Sequence, residues 1–434
     1  MTRDISAEIA RFVVTCDGAS VPQSARDVMK LSLLDWVAVT RAGQAEPVAE
    51  IVRSMVAEEG STGPCTVAGL EHGLAPRGAA LINGTISHAL DYDDTHFIYL
   101  GHPSVAVVPA ALALAEAEGA RASEFLEAAL IGVEIACRMG DWIGGAHYRK
   151  GFHITATAGS FGAAAAASRL LKLNEAQTLT ALSIAASRAA GVRAQFGSMG
   201  KPYHAGMAAS SGVEAAMLAA RGFVAADRGL EAPQGFAETH DAAGHDAAFD
   251  DLGQRYVFET VQHKFHACCH GLHAALEALT ELKSAHSFSP DMVEAVTITV
   301  QPRYLTVCNL PAPRSGLEAK FSYRLTTAMA LSGHDTARLD SYTDAVCSDP
   351  GMTSLRDRVR VKTEEGMVGT VAQVEIVLKN GDRLSAQHDL AHLPDLTTRR
   401  AKVRAKASSL LGEVAEASLW STISGETSLA ILNG

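Results

Sequence analysis

The sequence of 434 residues lacks an apolar run long enough to span a bilayer, which takes about 20 residues. Its longest apolar stretch, residues 105–115, is interrupted by Pro109. At the N-terminus, Asp4, Glu8 and Arg11 stand where a secretion signal needs an uninterrupted apolar core. We therefore expect a protein that has no membrane segment and is located in the cytoplasm.

The cysteine patterns of zinc sites and disulfide frameworks are also missing. The seven cysteines are an odd number, no two of them have the spacing C-x-x-C, and only Cys268 and Cys269 are close in sequence. We expect them to be reduced thiols in a reducing compartment.

The chain has few aromatic residues and a deficit of basic ones. Aromatic residues make up 6% of the sequence while alanine is abundant, which favours closely packed helices over an all-β sandwich. The 37 Lys and Arg against 48 Asp and Glu give a net charge of −11, opposite in sign to a general nucleic-acid binder. A length above about 250–300 residues predicts two domains.

Signatures of common cofactor and metal sites are absent. There is no P-loop, no G-x-G-x-x-G after a strand, no H-E-x-x-H and no EF-hand loop. The Gly-Ser-Phe-Gly sequence at residues 159–162 lacks the spacing of a nucleophile elbow. We therefore predict a site that uses neither a cofactor nor a metal.

Acidic residues are nearly missing from two windows of this acidic chain. Between Asp141 and Glu214 the only acid is Glu175. The same window holds seven permanent cations, namely Arg149, Lys150, Arg169, Lys172, Arg188, Arg193 and Lys201. The second window, residues 260–276, contains Lys264 and four histidines. If the windows meet in space they form a positive site for an anionic small molecule; otherwise they are ordinary solvated helix ends.

The spacing of apolar residues is helical from about residue 24 to residue 282. It predicts helices at about 24–43, 105–118, 122–138, 155–172, 175–190 and 206–221. After residue 290 a period of two predicts strands at 293–300 and 358–362, and a hairpin at 371–388 whose Asn380-Gly381 pair suits a type I′ turn. Further helices are predicted at 323–332, 401–411 and 419–432.

These elements predict a mainly α protein with a smaller α+β domain. Residues 1–265 together with 397–434 would form a large all-helical domain from both chain ends, and residues 266–396 an inserted α+β lid domain.

Three carboxylates crowd into residues 91–94. Asp91, Asp93 and Asp94 repel one another and would not gather in a merely structural helix without partners. With nearby histidines they could bind Mg²⁺ or Mn²⁺. They could instead orient and charge-stabilise a catalytic histidine, or Asp93 and Asp94 could cap a helix. The residues alone leave these three interpretations open.

Two further segments place basic side chains ahead of small-residue helices. His153, Thr155 and Thr157 could converge with free backbone amides on an anion at a helix N-terminus. Lys201, bounded by glycine and proline, suits a binder of a carboxylate or, if desolvated, a base with a depressed pKa.

Taken together, these segments resemble the MmgE/PrpD family, which includes 2-methylcitrate dehydratases, cis-aconitate decarboxylases and iminodisuccinate epimerases. The matching motifs run in order over nearly the whole chain: NGTISHALDYDDTH with GHPS, GFHITATAGSFGAAAAASRLLKL, GSMGKPYHAGMAA, HKFHACCHGLHAA and EAKFS. The resemblance implies a large helical domain with a smaller α+β domain, a homodimer, and a cofactor-independent site for a di- or tricarboxylate in the cleft between domains.

Motif matching also implies the site residues. They are Asp91, His102, His153 and Lys201 as catalytic groups, and Thr95, Lys264 and His273 as substrate-binding groups. In this hypothesis one of the two catalytic histidines removes or delivers the proton at a substrate carbon. The other acts on the leaving group or on the opposite face of the substrate. Asp91 orients a histidine, and the lysines hold substrate carboxylates and stabilise developing negative charge.

The expected function is a lyase of the dehydratase or decarboxylase type. An epimerase of an imino dicarboxylate and a non-catalytic polycarboxylate binder are the alternatives. Three departures from the family pattern weigh against the decarboxylase branch: a slightly longer stretch between Thr95 and His102, His266 where proline is frequent, and Leu325 where tyrosine is usual. The chain is also shorter than typical methylcitrate dehydratases, which weighs against that substrate.

Overall fold

The computed structural model describes residues 3–432 of the chain, which divides into two compact units. Within the described range, the first unit contains residues 3–263 and 403–432, and the second contains residues 264–402. None of the described helices is both long and apolar enough to cross a membrane.

The first unit is built from helices, as its helical spacing predicts. Its N-terminal part contains α1 (Ile5–Thr15), α2 (Gln23–Gly43), α3 (Pro47–Glu58), α4 (Pro76–Ser87), α5 (Pro103–Ala117), α6 (Ala122–Lys150), α7 (Ile154–Leu170), α8 (Glu175–Arg188), α9 (Gly200–Ala220) and the short α10 (Phe236–Thr239). The predicted starts of α6 and α8 are confirmed, whereas α1, α3 and α4 were not predicted.

Two helices form the centre of this unit. Every residue of α5 from Pro103 to Ala115 is buried, and so is every residue of α7 from Ile154 to Ser168. A helix that is apolar on all sides has no solvent face and must be surrounded by other helices. The alanine-rich sequence of α7 suits this position, because small side chains let the neighbouring backbones approach closely.

Glycines bring the ends of α4 and α9 together. A Cβ atom on Gly84 would lie 2.8 Å from the Cα atom of Gly206, and one on Gly206 would lie 2.2 Å from both the carbonyl oxygen of Leu81 and the hydroxyl of Thr85. Any side chain at either position would therefore push the two helices apart. This contact places the C-terminus of α4 beside the N-terminal half of α9.

The second unit contains the sheet. Its helices are α11 (His273–Ala285), α12 (Tyr304–Val307), α13 (Gly316–Ala319), α14 (Tyr323–Leu331), α15 (Asp344–Ser348) and α16 (Pro350–Arg356). Its strands are β1 (Val293–Val300), β2 (Val359–Thr363), β3 (Val371–Leu378) and β4 (Arg383–Asp389), in the spatial order β2-β1-β3-β4. The β1–β2 pair is parallel and the other two pairs are antiparallel.

The sheet has one covered face. Ala372, Val374, Ile376 and Leu378 alternate along β3 as buried residues, which is the pattern of a half-buried strand. Helices α11 and α14 pack against the strands. Because a parallel pair needs a long crossover, the helices between β1 and β2 supply it. The mainly α assignment with a smaller α+β part is confirmed, and an all-α description does not apply to this chain.

Two local predictions are wrong. The last two helices are α17 (Leu396–Leu411) and α18 (Glu413–Gly425), so the helix predicted at 419–432 begins earlier and ends at Gly425, before Glu426 with a left-handed φ of 53°. In the hairpin, Gly381 has a φ of 92°, but Asn380 is not among the described residues with positive φ. A type I′ turn needs left-handed φ at both central positions, so this loop is a different turn.

Candidate active site

Three of the predicted catalytic side chains stand at helix N-termini in the first unit. His102 immediately precedes α5, His153 immediately precedes α7, and Lys201 is the second residue of α9. Pro103 at the first position of α5 has no N–H to leave unsatisfied there. The N-terminal end of a helix carries partial positive charge and free N–H groups, which favour a bound anion.

The carboxylate of Asp93 lies between two imidazoles. The Nδ1 atom of His88 is 2.9 Å from Oδ1 of Asp93, and the Nδ1 atom of His102 is 2.7 Å from Oδ2. The side chains of His88 and Asp93 are almost completely buried, while that of His102 is 12% exposed. Asp93 therefore fixes one edge of the His102 ring from the interior of the unit.

Asp91 lies on the other edge of the same ring. Its Oδ1 atom is 3.7 Å from Nε2 of His102 and 2.8 Å from Nζ of Lys201. The backbone of Asp91 has a left-handed φ of 51°, which turns the chain sharply between the end of α4 and Asp93. Asp91 was predicted to orient a histidine; in the structure it contacts the lysine most closely, while Asp93 is the nearer carboxylate to His102.

His153 is a second ring neighbour of His88. The His88 ring has its centroid 4.5 Å from that of His102 and 6.0 Å from that of His153. The Nδ1 atom of His153 is 3.2 Å from Nδ1 of His204, and its ring meets the edge of Phe196 at 4.9 Å. Both predicted catalytic histidines are thus neighbours of a third, buried one.

Burial sets the protonation of these groups. It lowers the pKa of His102 to about 4, against the opposing effect of Asp93 and with the help of His88. Burial, followed by the charges of His88 and Lys201, holds the pKa of His153 well below its usual range. Burial disfavours the charged form of Asp93, but His102 and His88 overcome it and hold the pKa of this carboxyl well below its usual range. At neutral pH the neutral imidazole of His102 therefore stands beside the ionised carboxylate of Asp93, and the imidazole of His153 is neutral as well.

Asp94 has a different environment from Asp93. Its Oδ2 accepts the Ser104 hydroxyl at 2.6 Å, and its Oδ1 accepts the Ser104 N–H in the first turn of α5 at 3.3 Å. Burial first, and then the nearby Asp35, raise the pKa of Asp94 to about 7, although the Ser104 hydrogen bond opposes the shift. Asp35 itself is paired with Lys406 at 2.6 Å. The capping interpretation therefore fits Asp94, and the histidine-orienting interpretation fits Asp93.

The predicted substrate-binding residues are distributed over both units. Thr95, in the first unit, is buried and exchanges two backbone hydrogen bonds with Gln262, at 2.8 and 2.7 Å. Lys264 and His273 belong to the second unit, where both are buried. Burial, and then the charges of His270, His266 and Lys264, hold the pKa of His273 well below its usual range.

Four side chains of the first unit are close enough to hold a cation. One ligand atom from each of His88, Asp91, Asp93 and His102 can be chosen so that all lie within 4.8 Å of one another. Imidazole and carboxylate ligands suit a transition metal. However, Asp93 already contacts both imidazoles and Asp91 already pairs with Lys201, so direct contacts account for the group without an ion. The absence of a metal stays a prediction.

The sequence analysis missed several residues of this site. His88 stood in the quoted motif but was not assigned a role, and Asp93 was weighed only within the acidic group. His204 and Phe196 were not considered as site residues. A signal was available for His88, because it lies five residues before Asp93 at the end of α4; no local pattern indicates that Phe196 contacts His153.

Comparisons with known proteins cover most of the chain. Residues 7–246 match the MmgE/PrpD N-terminal domain and residues 266–424 match the MmgE/PrpD C-terminal domain. A cis-aconitate decarboxylase-like protein of Aspergillus oryzae is 30% identical over 297 residues, which cover 64% of this chain and 62% of that protein. Human cis-aconitate decarboxylase is 28% identical over 334 residues, 73% of this chain and 68% of that protein. Cis-aconitate decarboxylase of Aspergillus terreus is 29% identical over 294 residues, which cover 64% of this chain and 60% of that protein. The matched region is therefore less than two thirds of each of these two fungal relatives.

Proposed function

The chain belongs to the MmgE/PrpD family, as its motifs predict, and on this premise we propose that it is a lyase that decarboxylates a small tricarboxylate such as cis-aconitate without a cofactor. The observation that carries the proposal is the meeting of two neutral histidines and one lysine at three helix N-termini. The names of the similar proteins favour a decarboxylase over an epimerase.

The substrate class follows from the charges available. Lys201 supplies a permanent cation, and the helix N-termini add free N–H groups suited to carboxylate oxygens. Asp91 holds the lysine in place at 2.8 Å, so the ammonium is pre-positioned when the substrate arrives. We assign Thr95, Lys264 and His273 to further carboxylate contacts on the strength of the family resemblance.

The histidines supply the proton that decarboxylation needs. A polyanionic substrate raises the pKa of a nearby imidazole, so one of His102 and His153 takes up a proton on binding. The bond from one carboxylate carbon to its methylene carbon then breaks and CO₂ leaves. The released electron pair forms a new carbon–carbon double bond, and the electrons of the old double bond take the proton from the imidazolium. The products are CO₂ and an unsaturated dicarboxylate, and the histidine ends neutral.

Lysine stabilises the charge that develops during this step. Electrons from the broken bond pass through a system conjugated with a carboxylate, where negative charge accumulates before protonation. A lysine placed against that carboxylate lowers the barrier because the contact strengthens as charge develops. This role requires the ammonium to be already in position, as the Lys201–Asp91 pair provides.

The assembly and location of the protein are also proposals. The homodimer, the lid role of the α+β domain and a cytoplasmic location rest on the family resemblance and on sequence composition. Size-exclusion chromatography with light scattering tests the first of these directly: a mass of one chain, 45.5 kDa, would contradict a dimer.

A substrate panel tests the proposed activity. The purified protein is incubated with cis-aconitate, with a hydroxylated tricarboxylate such as citrate, and with iminodisuccinate. We expect CO₂ and an unsaturated dicarboxylate from the first. Dehydration of the hydroxylated acid without CO₂ would indicate a dehydratase, inversion without net change an epimerase, and thermal stabilisation without turnover a binder; each would overturn the decarboxylase. Lys201→Met, whose kcat should fall by about 10²-fold, is the impaired comparison, and Lys150→Met, at an exposed lysine, is the matched control.

A further inference from the structure

One carboxylate in the first unit contacts two imidazoles, and only one of these imidazoles is exposed to the proposed substrate. Asp93 has one oxygen 2.9 Å from Nδ1 of His88 and the other 2.7 Å from Nδ1 of His102. His102 is partly exposed, whereas His88 is sealed in the interior. His88 and Asp93 therefore have no direct access to a substrate, yet both are polar and buried.

We propose that His88 and Asp93 form a positioning pair that fixes His102 with its proton on Nδ1 and leaves Nε2 as the nitrogen that exchanges a proton with substrate. This proposal rests on the proposed function for its consequence in catalysis. The tautomer itself is a property of the resting protein and can be measured without any substrate.

The tautomer follows from the chemistry of the carboxylate. An ionised carboxylate has no hydrogen to donate, so each nitrogen that contacts it must be the donor. Both Nδ1 atoms then carry a proton, and the neutral His102 ring keeps its lone pair on Nε2. The pKa of the Asp93 carboxyl is held well below its usual range, against the effect of burial, by His102 and His88, so it is ionised at neutral pH.

The geometry turns the free nitrogen toward the substrate contacts. Nε2 of His102 is 3.7 Å from the Asp91 oxygen that also holds Lys201 at 2.8 Å. Nδ1 is buried and lies 2.7 Å from Oδ2 of Asp93, a charge-contact distance at which the two atoms do not meet the angles of a hydrogen bond in the structure. A carboxylate bound by Lys201 would thus place its neighbouring carbon near Nε2 and not near Nδ1.

The His88 ring lies within hydrogen-bond distance of Oδ1 of Asp93 and packs against the rings of His102 and His153. Its Nε2 atom is buried there without a hydrogen-bond partner, which is a cost that an apolar residue would avoid. Its backbone N–H is tied to the last turn of α4 through Thr85 and Ile86, so the ring has a rigid base. The bond to Asp93 stops that carboxylate from rotating away from His102.

The direct test is ¹⁵N NMR of the histidine rings in the resting protein, with the His102 signals assigned by their loss in His102→Gln. We expect the proton on Nδ1 in the unchanged protein. In Asp93→Asn the amide can donate to Nδ1, so the proton should move to Nε2. A His102 ring protonated on Nε2 in the unchanged protein would overturn the proposal even if no variant folds.

Kinetics separate positioning from mere structural support. Asp93→Asn should lower kcat by about 10³–10⁴-fold with little change in KM, as expected when a catalytic imidazole is held in the wrong tautomer. His88→Leu should lower kcat by about 10–100-fold, and His88→Asn, whose amide can still donate to Asp93, should recover part of the loss.

Asp141→Asn, at the surface pair with His245, is the control. Equal activity of His88→Leu and the unchanged protein would contradict the role of His88. If the tautomer is as expected but no tricarboxylate reacts, the proposed function fails and the positioning pair stands.

Discussion

Each unit of the molecule contains a buried group of lysine and histidine, and the two groups differ in how carboxylates contact them. In the first unit, His88, His102, His153 and Lys201 form the His102 cluster. There the carboxylate of Asp93 contacts the imidazoles of His102 and His88 at 2.7 and 2.9 Å. In the second unit, Lys264, His266, His270 and His273 form the His273 cluster, and the carboxylate of Glu277 lies beside His266 and Lys402. It is 3.7 Å from His266 and 2.9 Å from Lys402, while Nε2 of His273 faces the carbonyl oxygen of Cys268 at 3.3 Å.

The difference indicates different tasks. An imidazole fixed by a carboxylate has a defined tautomer and a defined reactive nitrogen, which proton transfer needs. A group of histidines and a lysine offers donors and positive charge, which suit the binding of an anion. The account assigns the reaction to the first cluster and substrate binding to the second, and four predictions test that contrast.

The largest expected effect separates the two central histidines. His102→Asn should lower kcat by about 10²–10⁴-fold, the usual contribution of a general acid or base, because asparagine cannot exchange the proton. His273→Asn should act mainly on KM, since asparagine keeps a donor but loses the ring. Steady-state kinetics on both variants measure kcat and KM separately and so show which histidine acts in the reaction and which in binding. A larger loss of kcat in His273→Asn than in His102→Asn would reverse the assignment.

The two lysines should differ in the same sense. Lys201→Met should lower kcat by about 10²-fold, because the lost contact strengthens as negative charge develops. Lys264→Met should raise KM by roughly 10-fold, because a uniform binding contact is lost. Each lysine is compared with its arginine variant, which keeps the charge but not the shape of the head group. An equal loss of kcat in both methionine variants would remove the contrast between the clusters.

The buried acid next to the first cluster predicts an unusual pH response of stability. Burial raises the pKa of Asp94 to about 7, so the folded protein holds this proton more tightly than the unfolded chain does. The resulting contribution to the free energy of unfolding is fully present at pH values below the usual pKa of a carboxyl group, and it is lost as the pH rises toward 7. Asp94→Asn should therefore reduce the fall in unfolding free energy between about pH 5 and 7 by roughly 2 kcal/mol. Chemical denaturation at a series of pH values measures this. If the unfolding free energies of the two proteins changed with pH in parallel, Asp94 would not be the cause of the loss of stability.

The acid of the second cluster should respond in the opposite direction. Although burial opposes it, His266 and then Lys402 lower the pKa of Glu277 to about 2. Its contribution is present above the usual carboxyl range and is lost as the pH falls toward 2. Glu277→Gln should lower the unfolding free energy by about 1 kcal/mol at neutral pH, with a smaller difference in acid. An undiminished difference at low pH would contradict the ion-pair origin.

The sequence predicted the parts of the fold that depend on local pattern. The central helix α7 follows from its run of alanine and glycine, and β3 follows from its period of two. The turn at Asn380 was wrong because the same Asn-Gly pair fits more than one hairpin loop. The end of α18 was wrong because apolar residues continue beyond Gly425 without remaining helical.

The site was predicted as a set of residues and not as a set of contacts. The motifs identified His102, His153 and Lys201, and the structure brings all three together in the first unit. The choice between Asp91 and Asp93 depends on how the loop after α4 turns, which the sequence does not specify. The contacts of His88 join the end of α4 to residues far along the chain, such as His153, which a local pattern does not specify.

The central claim, that a histidine of the first cluster, which the positioning proposal identifies as His102, delivers a proton to substrate carbon, is tested most directly by the fate of solvent deuterium. The protein is incubated with cis-aconitate in D₂O, and the dicarboxylate product is analysed by NMR and mass spectrometry. The account predicts one deuterium on the carbon that lost its double bond in every product molecule, and a rate that falls with His102→Asn but not with His245→Asn. Product without deuterium at that carbon, or an unchanged rate in His102→Asn, would contradict it.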